Sequence, residues 1–129
     1  MTVQLNHTIV YARDQKASAE FMTEIFGLKS PASYGPFTVV QVEGVSLDFL
    51  ETRDEIAPQH YAFLVSEAEF DEIFARVRER NLRYWAGPGH YGEGETNTKD
   101  GGRGVYFDDP DGHALEILTV PYGGWDFNR

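Results

Sequence analysis

The chain writes one pattern twice. Residues 5–28 read LNHTIVYARDQKASAEFMTEIFGL, and residues 58–82 read PQHYAFLVSEAEFDEIFARVRERNL. Each copy opens with a histidine and a short apolar stretch. Each then passes an acidic helix start and runs into an amphipathic helix that closes at Gly-Leu or Asn-Leu. An offset of 53 residues superposes His7 on His60, Val10 on Phe63, Asp14 on Glu67 and Phe21 on Phe74. Such repetition constrains the fold more than any local propensity does, because each copy is a supersecondary unit that cannot bury its apolar face alone. It also sets two histidines in equivalent places.

Local signals fill in each copy. Val3–Ala12 is rich in Val, Ile and Tyr and reads as a strand. Asp14 is suited to an N-cap, and Phe21, Met22, Ile25, Phe26 and Leu28 form the apolar stripe of a helix that Gly27 can end. Lys29–Tyr34 contains Pro31 and reads as an edge strand or a loop. Phe37–Val42 and Val45–Glu51 flank Glu43-Gly44, the signature of a tight hairpin. The polar stretch Thr52–Gln59 links the halves.

The second copy opens with strand His60–Val65. Ser66 with Glu69 forms a capping box for helix Glu67–Arg80. Leu82–Ala86 reads as a short strand, and Gly87–Gly102 as a long glycine-rich loop of the kind that is usually functional or disordered. Gly104–Asp108 and Ala114–Val120 form a last hairpin around Asp109-Pro-Asp-Gly112. The tail Pro121–Arg129 carries Tyr122, Trp125 and Phe127, more aromatic surface than a bare tail needs, so it is expected to dock.

The order strand, helix, three strands, twice over, predicts an α+β fold. Paired βαβββ modules form a curved mixed β-sheet with the helices on its outer face. The expected organisation is a single domain over 1–129, with module one at 1–56, module two at 57–122 and a C-terminal tail at 123–129.

Composition excludes some functions. Eleven Lys and Arg against 21 Asp and Glu give a net charge of −10, which repels phosphate backbones and argues against nucleic acid as a partner. The sequence shows no apolar run long enough to span a membrane and no signal-peptide pattern, so a cytoplasmic location is expected. Cysteine is absent, so any metal is held by nitrogen and oxygen.

The repeat also aligns VSLDFL with HALEIL, which sets Asp48 against Glu116. A carboxylate inside ALEIL has to pair, protonate or bind metal. Taken singly, a strand histidine is ordinarily a hydrogen-bonded structural residue and an inward glutamate ordinarily sits in a salt bridge. Jointly, His7, Asp48, His60 and Glu116 form a near-symmetric quartet, and two histidines with a carboxylate suit iron, zinc, nickel or manganese.

These features resemble the vicinal oxygen chelate superfamily, the glyoxalase/bleomycin-resistance/extradiol dioxygenase group, from Leu5 to Tyr122. The most specific segment is GRGVYFDDPDGHALEIL, residues 102–118, which looks like the group's closing hairpin with its ligand glutamate. The resemblance implies a divalent metal (Zn, Ni, Mn or Fe) on His7, His60 and Glu116. Asp48 stands at a fourth ligand position where glutamate is usual, and it either ligates or merely hydrogen-bonds. Tyr106 is similar in spacing to an active-site tyrosine of the group. Taken by itself, such a tyrosine is ordinarily a packed strand residue.

Among the remaining polar residues, His113 is expected to face solvent or pin the turn. His90 could reach over a substrate from the glycine-rich loop or simply be exposed there. Arg103 could meet an anionic substrate or pair with Asp100. The implied function is a metal-dependent enzyme on a small oxygenated substrate, a glyoxalase-like lyase/isomerase or an extradiol-type dioxygenase, working as a homodimer. The alternative is a metal-free protein that sequesters a cationic drug, as bleomycin-resistance members do.

Overall fold

A computed structural model describes residues 3–125. The chain divides into two compact units. One holds the residues up to Ala57 together with the turn Asp109–Asp111, and the other holds Pro58–Asp108 and the chain from Gly112 onward.

The first unit runs β1 (His7–Ala12), α1 (Gln15–Phe26), β2 (Ala32–Tyr34), β3 (Phe37–Val42) and β4 (Val45–Glu51). Its sheet has the order β1-β4-β3-β2, with β1 parallel to β4 and the other pairs antiparallel. The segment with Pro31 is therefore an edge strand, where a missing donor costs no ladder bond. Helix α1 starts where expected: Asp14 Oδ1 accepts from the Ala17 N–H at 3.1 Å. It ends at Gly27, whose φ of 68° is the left-handed conformation a helix C-cap uses. The strand before it is shorter than the sequence suggests, beginning at His7 rather than Val3.

The second unit runs β5 (His60–Leu64), α2 (Glu67–Glu79), β6 (Tyr84–Gly87), β7 (Tyr91–Glu93), β8 (Gly104–Asp108) and β9 (Ala114–Leu118). Its sheet order is β5-β9-β8-β6-β7, with β5 parallel to β9. The capping box is present in full. Ser66 Oγ accepts from the Glu69 N–H at 3.1 Å, and Glu69 Oε1 accepts from the Ser66 N–H at 2.8 Å. The expected loop 87–102 is not without structure: it contains β7, paired with β6, and a tight turn at Lys99–Gly101.

The repeat is visible in the hydrogen-bond register. His7 lies opposite Ser46 and Asp48 opposite Ile9; His60 lies opposite Ala114 and Glu116 opposite Ala62. The offset of 53 holds for β1 and β5. At the helix starts it becomes 52, since the caps are Asp14 and Ser66, so Asp14 matches Ser66 and not Glu67.

Strand alternation sorts the side chains into two faces. In the first unit Val10, Ala12, Leu47 and Phe49 are buried with Met22 and Ile25 of α1. In the second, Val105, Phe107, Leu115 and Ile117 are buried, as are Phe70, Ile73 and Val77 of α2. The other face of each leading strand is open: Ile9 and Tyr11 share it with His7, and Leu64 with His60. Among the described residues, no helix is long and apolar enough to cross a membrane.

Candidate functional site

The open face of β5, β9 and β8 brings together three of the side chains singled out from sequence. His60 Nδ1 lies 3.0 Å from the carbonyl oxygen of Ala114. A carbonyl only accepts, so Nδ1 carries the proton and the neutral ring turns the lone pair of Nε2 outward. Nε2 stands 3.0 Å from Glu116 Oε1. A neutral imidazole nitrogen and a carboxylate oxygen are both acceptors. That contact therefore needs a proton between the two atoms or a cation shared by them.

Tyr106 completes the group. It lies directly opposite Glu116 in the β8–β9 register, and its ring stacks nearly parallel on His60, with centroids 5.6 Å apart and planes 17° apart. Burial, then the charge of Glu116, then a hydrogen bond to that carboxylate push the phenol up to about 12. The phenol is therefore fully protonated at neutral pH and serves as a hydrogen-bond donor.

These three residues line a cavity of about 440 Å³, with Arg103 among the other lining residues. Such a volume is in the range of small-molecule sites. Arg103 is engaged by α2 and not by Asp100. Its Nε donates to Glu67 Oε1 at 2.8 Å, its Nη1 meets Asp71 Oδ1 at 2.9 Å, and its guanidinium lies over the Phe70 ring. Helix α2 thus supplies both carboxylates that match its charge.

The remaining candidates lie elsewhere. His90 stacks on Trp85 with ring centroids 3.8 Å apart and meets Asp108 Oδ2 at 2.9 Å. Its neighbour Pro88 is the residue of that turn that lines the cavity. His113 is buried and accepts from the Gln59 N–H at 3.0 Å, so of its two expected roles it takes the pinning one. In the first unit, His7 Nδ1 pairs with Asn6 Oδ1 at 2.8 Å. Asp48 is 8% exposed and accepts from Ser46 Oγ at 3.0 Å. Sequence reasoning passed over Asn97, whose side chain donates to the Ala86 carbonyl at 2.7 Å while lining the cavity. It noticed Tyr122 only as tail aromatic surface. Phe127 lies outside the described residues.

Among the described residues, no group of three or more His, Asp or Glu side chains is gathered for a metal. The His60–Glu116 pair nonetheless fits one. Donors about 2.1 Å from a common ion and roughly 90–110° apart lie about 3.0–3.4 Å from each other. The Ala114 carbonyl behind Nδ1 is the outer partner that ligating histidines commonly have.

Residues 4–117 match the family model of the Glyoxalase/Bleomycin resistance protein/Dioxygenase superfamily. The chain belongs to this superfamily. Among solved structures, Oxidase ChaP-H1 is 63% identical, with a TM-score of 0.93 over 95% of this chain and 100% of that one. Oxidase ChaP-H2 is 62% identical, with a TM-score of 0.93 over 97% and 100%. The glutathione transferase FosA of Serratia marcescens is 31% identical over 91% of this chain and 81% of its own length.

Proposed function

We propose that this chain is a divalent-metal-dependent enzyme that oxidises a small oxygenated molecule. Its metal is held by His60 and Glu116, with His7 as the third ligand. The observation that carries this reading is the pair of acceptors, Nε2 of His60 and Oε1 of Glu116, set 3.0 Å apart with Nδ1 already committed to a carbonyl. The likeness to an oxidase across the whole chain supports the oxidative branch of the superfamily over a lyase. So does Asp48, which is engaged by Ser46 and is proposed as a hydrogen-bonding residue outside the ligand set.

A metal on this scaffold supplies Lewis acidity toward substrate oxygens and suits iron or manganese in an oxidative role. The rest of the chemistry falls to the chain. Glu116 and the Ala114 carbonyl keep His60 in one tautomer and orientation. Tyr106 keeps its proton at neutral pH with its phenol against Glu116, and with that carboxylate taken up by a ligand it would donate a hydrogen bond to a developing oxyanion. The cavity walls exclude water and orient the substrate. The enzyme is proposed to act as a homodimer in the cytoplasm.

Metal analysis by plasma mass spectrometry with an oxygen-uptake assay tests this. Wild type should carry near one metal per chain, and His60→Ala/Glu116→Ala should carry none and consume no oxygen. Wild type that holds no metal after reconstitution would sink the proposal and return the metal-free drug-binding reading.

A further inference from the structure

The cavity has a wall that the proposed ligands leave unexplained. Past β9 the chain runs through Val120 into the turn Tyr122–Gly124, and Val120 and Tyr122 both line the cavity. This turn is clasped from the neighbouring loop. The Gly123 N–H donates to Oδ2 of Asp100 at 3.1 Å, and Asp100 also lines the cavity. On its other side the turn is packed by Trp125, whose ring meets that of Tyr122 edge-on at 5.8 Å. The Trp125 ring lies so close over Gly123 that a Cβ there would stand 3.3 Å from it, and Gly123 has φ 72°. The backbone favours glycine at that position, and a Cβ would also need the Trp125 ring to give by a few tenths of an ångström.

The outcome is an aromatic ring held at the cavity yet 70% exposed. Arg103 is matched by Glu67 and Asp71, and Asp100 accepts from the Gly123 N–H. Beside these and Lys99, the surface a ligand meets at this end of the cavity is apolar, from Pro88, Leu118, Val120 and the Tyr122 ring. Flat apolar surface beside an exposed ring is best covered by another ring.

We propose that Tyr122 is a specificity-determining wall that recognises an aromatic portion of the substrate, and that Asp100 is the positioning residue that holds it in place. This rests on the reading of the cavity as the substrate site. The clasp is a single exposed hydrogen bond, so it belongs to the part of the fold that opens most easily.

Calorimetric titration of 1-naphthol into the full chain stripped of metal with EDTA tests the proposal. Wild type should bind at one site. Tyr122→Ala should lose roughly fivefold to tenfold in affinity, the range expected for an aromatic pair, while Tyr122→Phe should keep it. Asp100→Ala should lose about threefold, as for one modest hydrogen bond, with faster exchange of the Gly123 amide. Equal affinity in wild type and Tyr122→Ala overturns the proposal, as does wild type without saturable binding. No metal is present in this titration, so failure of the metal reading and failure of this one are seen separately.

Discussion

The two leading strand pairs of this chain share a register and differ in what they do with it. In β1–β4, His7 lies opposite Ser46 and Asp48 lies between Ile9 and Val39. In β5–β9, His60 lies opposite Ala114 and Glu116 lies between Ala62 and Tyr106. Ser46 places a hydroxyl on Asp48, whereas Ala114 has none to offer, so Glu116 is left to face His60. Glutamate has one methylene more than aspartate with which to reach it. Tyr106 stands where the first unit has Val39 and adds a donor to the same carboxylate. A repeat supplies equivalent positions, and the chemistry comes from where the copies depart from each other.

The backbone equivalence should be the hardest part to damage selectively. Phe49 and Ile117 occupy matched positions in β4 and β9, and both are fully buried. Phe49→Ala should cost about 3–5 kcal/mol and Ile117→Ala about 2–5 kcal/mol in urea unfolding. If only one of the two were costly, the halves would not share a core design.

The chemical difference should yield to a smaller change. Ala114→Ser gives the second unit the hydroxyl that Ser46 supplies in the first. We expect that hydroxyl to draw Glu116 away from His60 and to weaken metal retention by about tenfold or more, the usual scale for disturbing a ligand's outer partners. The reverse change, Ser46→Ala, should leave metal content untouched. Equal effects from the two substitutions would break the comparison.

Much of this was legible before the structure because a repeat converts a local pattern into a register. Aligning VSLDFL with HALEIL is enough to make Asp48 and Glu116 equivalent, and in the ladders Asp48 lies opposite Ile9 as Glu116 lies opposite Ala62. Caps were equally readable, since Asp14, Ser66 and Glu69 act on backbone within three residues of themselves. What escaped depends on distant or very short elements. Strand β7 has three residues, one of them Gly92, too few to show alternation. The partners of Arg103 lie on α2, and no spacing rule links Arg103 to Glu67 and Asp71. Tyr122 looked like tail surface because its place on a cavity wall depends on how Asp100 folds back to Gly123.

Tyr106 sharpens the contrast through pH. Its phenol titrates at about 12, raised by burial and then by Glu116, so absorbance at the phenolate band should show one late midpoint. Glu116→Gln removes the neighbouring charge and should bring that midpoint down. The native state holds this proton more tightly than the unfolded chain, whose tyrosine titrates near 10. The resulting stability is fully present below about pH 10 and is lost as pH rises toward 12. A midpoint unmoved by Glu116→Gln would separate Tyr106 from the carboxylate.

The smallest expected effect concerns how the two helices begin. Helix α1 has one side-chain cap, Asp14, and no acidic residue in its first turn. Helix α2 has the reciprocal Ser66–Glu69 box, with Glu67 also in the first turn. Ser66→Ala removes one of two reciprocal bonds and should cost about 1 kcal/mol, as Asp14→Ala should. The distinction lies in acid. The bond from the Ser66 N–H, and then the Ser66 hydroxyl, hold the Glu69 carboxyl below its ordinary value. The box therefore contributes above the unfolded carboxyl range and fades as pH falls through the lowered value. Glu69→Gln keeps an acceptor for the Ser66 N–H but removes the charge that titrates. Melting curves from pH 7 down to 3 should show wild type and Ser66→Ala both falling in acid, held apart by the hydroxyl bond, with Glu69→Gln flatter than either. Parallel curves for all three would mean that the charge of Glu69 adds nothing to the start of α2, and that the two helices are capped to the same effect.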